Sequence, residues 1–248
     1  MVVGVSFLLG IVDLSVGMGF GFTVTPVLIL LGYSVTETLP AVLASSFLGG
    51  IISSFSHQRL GNVDFDLKSR ALKMSILMGG VGALGMSLGV YSSFNLPESY
   101  TQTYIGIITL SSGVFIQFKE RLEFKFTWAR IGVMGLIGAV KKGLTGGGYG
   151  PVITSGGILS GIDEKTAVAI QSLSESFVSL IGFFYFWYSG DFILWSVTRN
   201  VAIGVIAAAP LAVTILKILD KEDIKKIITF TSLIMSVAII MKAWNLFF

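Results

Sequence analysis

The stretch Lys141-Lys142-Gly143-Leu144-Thr145-Gly146-Gly147-Gly148-Tyr149-Gly150-Pro151 decides the fold of this chain. Two adjacent lysines lead into a glycine cluster inside an apolar segment that is longer than a membrane span. A lysine at the centre of a membrane helix costs on the order of 3 kcal/mol to insert, so it needs a partner charge, water, protein or a ligand. The stretch therefore predicts a break in a membrane helix and one half of an anion-binding site.

The composition around this stretch predicts an all-α integral membrane protein. Of the 248 residues, 53% are hydrophobic and only 12% are charged, and the mean hydropathy is +0.85, far from the soluble norm. The basic residues lie in short connections that set membrane orientation, so the net charge of +3 does not indicate nucleic acid. With no cysteine and one histidine, His57, we expect no disulfide, no metal and no other cofactor.

The chain contains eight hydrophobic segments on the scale of about 20 apolar residues per membrane crossing. The first and fifth are too long for a simple span, and both contain glycine clusters. Each is expected to be a broken helix, or a pair of half-helices that enters and leaves on one side. We expect the N-terminal residues to begin the first segment and not to form a cleaved signal. The segments run approximately over residues 3–33, 38–56, 70–92, 101–118, 129–160, 166–188, 192–216 and 227–247.

The two overlong segments superpose when the sequence is shifted by 129 residues without a gap. The shift also aligns the spans that follow, so it predicts two four-segment transmembrane repeats, residues 1–125 and 126–248. The superposed pairs are Gly17 with Gly146, Gly19 with Gly148, Gly21 with Gly150, Thr25 with Thr154, Gly32 with Gly161, Ser45 with Ser174 and Gly61 with Gly190.

The distribution of basic residues favours two halves of inverted orientation. If each overlong segment returns to its own side, thirteen of the 17 basic residues face the cytoplasm, and only Arg199 and Lys242 face the exterior. If these segments span instead, the halves are parallel and Lys165 and the lysines of residues 217–226 move outside. The thirteen are Arg59, Lys68, Arg70, Lys73, Lys119, Arg121, Lys125, Arg130, Lys165, Lys217, Lys221, Lys225 and Lys226.

Inverted repeats with interrupted helices place a substrate site at the membrane midplane. Glycines allow a sharp turn and close approach of main-chain N–H groups, and a helix that restarts after the turn directs its positive end at an anion. Pro26 and Pro151 suit the first turn of such a helix. The predicted substrate-binding residues are Gly17, Gly19, Gly21, Ser45, Ser46, Lys141, Lys142, Thr145, Gly146, Gly147, Gly148, Tyr149 and Gln171.

Lys141 and Lys142 need not have the same role, because adjacent residues of a helix do not share a face. The shift of 129 places Lys142 on Asp13, and twofold symmetry would bring both near the midplane. One alternative is a buried Asp13–Lys142 ion pair without a ligand role, which would leave Lys141 as the better substrate contact. The other alternative assigns Asp13 to proton coupling.

Glu175 is the second acid inside a membrane segment, on a polar stripe that begins at Gln171. A carboxyl group with little access to water can hold a proton at neutral pH, which suits coupling to a proton gradient. The alternative role is a salt bridge to a lysine. Ser45, Ser46, Ser53 and Ser54 form the corresponding uncharged stripe of the first half.

Several motifs together resemble one known family. They are Gly17-Met18-Gly19-Phe20-Gly21 with Pro26-Val27-Leu28, Ala44-Ser45-Ser46, His57-Gln58-Arg59-Leu60-Gly61-Asn62-Val63-Asp64, the cluster at residues 145–151, and Ser189-Gly190-Asp191. Over essentially the whole chain, the sequence resembles the sulfite exporter TauE/SafE family of membrane transporters. The resemblance implies a permease for sulfite, organosulfonates or related small anions, driven by the proton gradient. One departure is Phe20, where the family usually has a third glycine.

The sequence therefore predicts a proton-coupled secondary transporter, a multi-pass protein of the cytoplasmic membrane that moves a small anion. A passive anion channel is the alternative. An intramembrane enzyme is disfavoured, because no membrane segment carries a catalytic group of histidines, cysteines or paired carboxylates. The expected partners are a small inorganic or sulfonated anion and the lipid bilayer, without nucleic acid. The oligomeric state stays open, with a homodimer as one alternative.

Overall fold

The computed structural model describes residues 1–15, 17–118, 125–189, 193–216 and 221–244. These residues form ten α-helices and contain no β-strand. The helices are α1 (Val2–Ser15), α2 (Val24–Leu30), α3 (Val35–Arg59), α4 (Arg70–Asn95), α5 (Glu98–Phe118), α6 (Trp128–Thr145), α7 (Tyr149–Leu159), α8 (Glu164–Ser189), α9 (Trp195–Ile215) and α10 (Lys221–Ala243). Within the described part of the chain, four of them (α3, α4, α8 and α9) are long and apolar enough to cross a membrane. The prediction of an all-α membrane protein is confirmed.

Short polar connections determine where the long helices begin. Before α3, Ser34 accepts a hydrogen bond from the Glu37 N–H, and the Glu37 carboxylate accepts one from the Ser34 N–H in return. The Ser69 hydroxyl caps α4 in the same way, through the N–H of the third residue after it, and the Thr127 hydroxyl caps α6. Each cap satisfies N–H groups that have no partner inside the helix.

Glycine turns interrupt the first and fifth predicted segments. Gly146 ends α6 with a left-handed backbone, and Gly148 has the same conformation immediately before α7. Gly17 and Gly19 adopt positive φ between α1 and α2. The eight predicted segments therefore contain ten helices, because each of the two overlong segments holds two helices. The turn between them includes glycines in a backbone conformation that L-residues rarely adopt.

The two glycine turns cross each other in direct backbone contact. A methyl group at Gly150 would lie 1.9 Å from the carbonyl carbon of Met18, and one at Gly21 would lie 2.2 Å from the Gly146 carbonyl oxygen. The Thr154 hydroxyl donates a 2.7 Å hydrogen bond to the Gly17 carbonyl. This crossing fixes the position of one interrupted segment on the other.

The long helices pack around this crossing. α4 packs along α6 and α1 along α9, while α3 lies against α8 and α9, α8 against α4, and α5 against α10. Gly50 contacts Ser176 and Ser53 contacts Ser172, so α3 and α8 run antiparallel. Trp244 donates a hydrogen bond to the Thr103 hydroxyl near the start of α5, so α5 and α10 also run antiparallel.

Contacts between connections show which helix ends lie together. The Thr166 hydroxyl donates to the Asn62 carbonyl, which places the end of α3 beside the start of α8. The Arg70 guanidinium lies 3.8 Å from the centre of the Phe126 ring, which places the start of α4 beside the start of α6. The chain passes directly from the end of α3 to the start of α4, so both lie at one end of the molecule. The start of α6 and the connection from α7 to α8 therefore lie at that same end.

Other contacts group the remaining helix ends at the opposite end of the molecule. Lys242 near the end of α10 donates to the Ile29 carbonyl in α2. The Glu98 carboxylate at the start of α5 accepts a 3.1 Å hydrogen bond from the Val35 N–H at the start of α3.

Parts of the sequence predictions lie outside the described residues, namely Lys119, Arg121, Lys217, the Gly190-Asp191 pair and residues 245–247.

The crossing predicts a strong effect of one added methyl group. We expect Gly150→Ala to lower the melting temperature in detergent by about 5 °C or more, because the methyl would overlap the Met18 carbonyl group. Gly80→Ala is the matched control, since a methyl at that exposed position in α4 meets nothing within 4 Å. Equal melting temperatures of the two variants would contradict the crossing.

Candidate functional site

Lys142 is buried in the protein and contacts α3, α8 and both glycine turns. Its side chain has 0% exposure, and its Nζ lies 2.7 Å from Glu175 Oε1, 3.0 Å from Ser46 Oγ, and 3.1 Å from the carbonyl oxygens of both Phe20 and Gly146. An ammonium group has three N–H donors. All of them are therefore occupied by protein atoms in this conformation.

Glu175 on α8 is the ion-pair partner of Lys142. Its second oxygen, Oε2, accepts a hydrogen bond from the Gln171 amide one turn earlier on the same helix. The carboxylate stands against the first glycine turn, because a methyl at Gly19 would lie within 2.8 Å of both oxygens. The alternative in which Glu175 forms a salt bridge with a lysine is the arrangement that the structure shows.

The ion pair between Asp13 and Lys142 that symmetry suggested is wrong. Asp13 is buried at the end of α1 and turns back onto its own segment. Its carboxylate accepts hydrogen bonds from the Gly21 N–H at 3.3 Å, the Thr23 N–H at 3.1 Å and the Thr23 hydroxyl at 2.9 Å. These donors immediately before α2 solvate the carboxylate locally, and it does not contact Lys142.

Lys141 lies on another face of α6 and is half-buried. Among the described residues its ammonium has no hydrogen-bond or ion-pair partner. Its Cβ lies 3.7 Å from the place where a Cβ of Gly148 would be, so the side chain starts beside the N-cap of α7. Lys141 is thus a cation near the second glycine turn with no protein partner in the described part of the chain.

The other predicted site residues either belong to the cluster around Lys142 or lie near it. The Thr145 hydroxyl lies 2.8 Å from the Lys141 carbonyl and 2.9 Å from the Gly147 carbonyl, and holds the second turn in shape. Tyr149 and Ser45 are buried with hydroxyl groups that have no partner among the described residues. The structure brings Gly19, Ser46, Lys142, Gly146, Gln171 and Glu175 together, whereas Gly17, Gly21, Ser45, Lys141, Thr145, Gly147, Gly148 and Tyr149 lie around this cluster without contacting the Lys142 ammonium.

Comparison with known proteins identifies the family of this chain. The sequence model of the family described as "Sulfite exporter TauE/SafE" matches residues 2–239. The chain belongs to the TauE/SafE sulfite exporter family. It is also similar to the probable membrane transporter protein YtnM of Bacillus subtilis (strain 168), with 27% identity over 216 residues, which are 82% of this chain and 69% of that protein. The resemblance to this family is confirmed, and the protein is a multi-pass transporter of the cell membrane and not an enzyme.

In this TauE/SafE protein, sequence reasoning missed one group of the cluster, the Phe20 carbonyl. It accepts hydrogen bonds from both Lys142 and the Ser46 hydroxyl. The Phe20 ring is buried beside Gly10 of α1. A backbone carbonyl leaves no trace in the pattern of side chains, so only the folded turn identifies it.

The central ion pair predicts a clear difference between the two lysines. We expect Lys142→Ala to lower the free energy of unfolding by about 3–5 kcal/mol, because it leaves the Glu175 carboxylate buried without a counter-charge. The double variant Lys142→Ala/Glu175→Ala should recover part of this loss. Thermal unfolding in detergent measures it, with Lys141→Ala as the matched control. A loss as large in Lys141→Ala would contradict the assignment of the central charge to Lys142.

Proposed function

We propose that this transporter moves a small anion such as sulfite or an organosulfonate across the cytoplasmic membrane, coupled to protons, with the binding site between the two glycine turns. The observation that carries the proposal is the buried pair of Lys142 and Glu175 where the turns cross. It combines a cation that can hold an anion with a carboxyl group that can take a proton. Charged groups buried at membrane depth are most often functional.

The helix packing supports two inverted halves, residues 1–125 and 126–248. The counterparts in the two halves are α1 and α6, α2 and α7, α3 and α8, α4 and α9, and α5 and α10. Exchanging each helix for its counterpart converts the α1–α9 contact into the α6–α4 contact, and the α3–α9 contact into the α8–α4 contact. The pairs α3–α8 and α5–α10 map onto themselves, and both are antiparallel. Equivalent helices of opposite direction are expected for halves related by an axis in the membrane plane.

The backbone supports the register of the repeat. Gly17 and Gly146 have φ of 69° and 71°, and Gly19 and Gly148 have φ of 78° and 82°. In this arrangement α1–α2 and α6–α7 are re-entrant pairs that meet at the midplane from opposite sides. The end of the molecule that holds the α3–α4 and α7–α8 connections faces the cytoplasm, because it carries the excess of basic residues.

The two lysines have different parts in the proposed site. Lys142 is fully engaged, so in this conformation Lys141 is the cation that attracts the incoming anion. The Gly21 and Thr23 N–H groups immediately before α2 already have the Asp13 carboxylate as their acceptor, whereas no side chain caps the start of α7 at Gly148. We therefore place the first contact of the anion at Lys141 and the start of α7, with Gly147, Gly148 and Tyr149 around it.

The closed cluster favours a transporter over a channel. Lys142 and Glu175 have 0% and 1% exposure, and Gln171 has 0%. An anion reaches this depth only after the helices around the turns rearrange. A site closed in this way is expected for alternating access and not for an open conduction path.

The inverted arrangement is testable by labelling, because the natural chain has no cysteine. We expect single cysteines in place of Leu96 and Ser196 to react with a membrane-impermeant maleimide in intact cells. Cysteines in place of Leu67 and Lys165 should react only after permeabilisation. Parallel halves would place residues 67 and 165 on opposite sides, so labelling of only one of these two in intact cells would contradict the proposal.

The assignment of the anion and its counter-charge is testable by transport. We expect proteoliposomes to take up labelled sulfite or sulfoacetate, and Lys141→Ala to reduce uptake about tenfold or more through loss of a charged contact. Glu175→Gln should remove the dependence on a proton gradient, because the amide cannot carry a proton. Unchanged uptake in both Lys141→Ala and Lys142→Ala would exclude the lysines from substrate binding. Uptake by the natural protein that needs no proton gradient would indicate a channel.

A further inference from the structure

The Glu175 carboxylate occupies a place that has the features of an oxyanion site. We propose that this place is the inner binding site of the substrate, and that ionised Glu175 fills it as an internal anion until a proton neutralises Glu175 and an external oxyanion takes its position. The inference rests on the proposed anion transport. It adds the position at which the substrate binds, the reason that one proton accompanies it, and the class of ligand that fits.

The first turn forms a cradle without a side chain. Gly19 has φ of +78°, and a methyl there would lie 2.6 Å from Glu175 Oε1, 2.8 Å from Oε2 and 2.9 Å from the carboxylate carbon. The whole carboxylate therefore rests on the glycine backbone. Any L-residue with a side chain at this position would fill the space, so the glycine keeps room for a group with several oxygens.

Each carboxylate oxygen has its own donor in the cradle. Lys142 Nζ donates to Oε1 at 2.7 Å, and the Gln171 amide donates to Oε2. The Ser46 hydroxyl lies 3.0 Å from Lys142 Nζ, so a third polar group borders the same space. A cation and an amide that serve two oxygens suit a sulfonate, sulfite or carboxylate, and they suit a halide, which offers one atom, less well.

Gln171 can also serve the protonated form of Glu175. Its Oε1 is buried without a partner among the described residues, while its amide nitrogen donates to Glu175. A protonated carboxyl group carries an O–H donor, and the Gln171 oxygen can accept it once the amide rotates. The one side chain therefore has a hydrogen bond for Glu175 in both protonation states.

The charges around the cradle allow only one anion at a time. Within the described part of the chain, the titratable or charged groups that face Glu175 from neighbouring helices are Lys142 on α6, Asp13 on α1 and Tyr149 on α7. Only Lys142 among them is cationic. An external anion beside ionised Glu175 would leave an excess negative charge in a medium of low dielectric constant. Uptake of one proton by Glu175 removes this excess and frees Lys142 for the anion.

The test measures proton uptake during binding to the purified full-length protein in detergent. Methanesulfonate is the probe, because a sulfonate stays ionised across neutral pH and any pH dependence then belongs to the protein. Calorimetric titration in buffers of different ionisation enthalpy should show about one proton taken up per anion bound at pH 7.5. By linkage, the affinity should rise about tenfold for each unit by which the pH falls.

Variants separate this inference from a structural salt bridge. In Glu175→Gln we expect no proton uptake, no pH dependence and about tenfold or more tighter binding at pH 7.5, because the internal competitor has lost its charge. Glu98→Gln, which changes a carboxylate at the outer end of α5, is the matched control and should behave like the natural protein.

Three results would overturn the inference: binding without proton uptake by the natural protein, equal affinity of the natural protein and Glu175→Gln, or no methanesulfonate binding by either. The proton count on the natural protein decides the question even if Glu175→Gln does not fold. Transport of sulfite without proton uptake on binding would overturn the inner site and leave anion transport intact. Proton-linked binding without transport would support the inner site and overturn the proposed function.

Discussion

The charge of Lys142 is the constraint on which the rest of the structure depends. A buried ammonium at membrane depth is stable only where several acceptors surround it. Here the acceptors come from α3, α8 and both glycine turns, so these four elements have to meet at this point. The ion pair with Glu175 is thus also a link between the interrupted segments and the long helices that enclose them.

This arrangement requires that the backbones approach without side chains between them. Gly21 and Gly150 each lie where a methyl group would overlap the opposite turn. Because the turns touch, a displacement of one interrupted segment has to be transmitted to the other or break their contact. The same contact brings the Phe20 and Gly146 carbonyls within reach of one ammonium group. The charged cluster around Lys142 and the crossing of the glycine turns are therefore one structure.

The gapless shift of 129 residues pairs positions that differ in chemistry. It pairs Asp13 with Lys142, yet the Asp13 carboxylate binds donors of its own turn, whereas Lys142 binds acceptors from α3, α8 and both glycine turns. It also pairs Ser46 with Glu175, and both contact Lys142. The proposed two-repeat arrangement would therefore bring these positions together, and their different side chains give the central cluster its charges.

Much of this was determined by the amino-acid sequence alone. Hydropathy and the spacing of glycines predicted the membrane spans and the interruptions at Gly17–Gly21 and Gly146–Gly148, because these features depend on local composition and on the geometry of a single helix or turn. The sequence also singled out Lys142, Gln171 and Glu175 as polar residues inside the membrane, but it did not show that they contact one another. The partner of Lys142 was decided only by the tertiary structure. Asp13 and Glu175 were both acids inside the membrane, and the shift of 129 residues suggested Asp13, which is not the partner of Lys142 in the structure. The choice followed from the crossing of the turns, which gave Asp13 local N–H donors and left Glu175 facing the ammonium group across the interface.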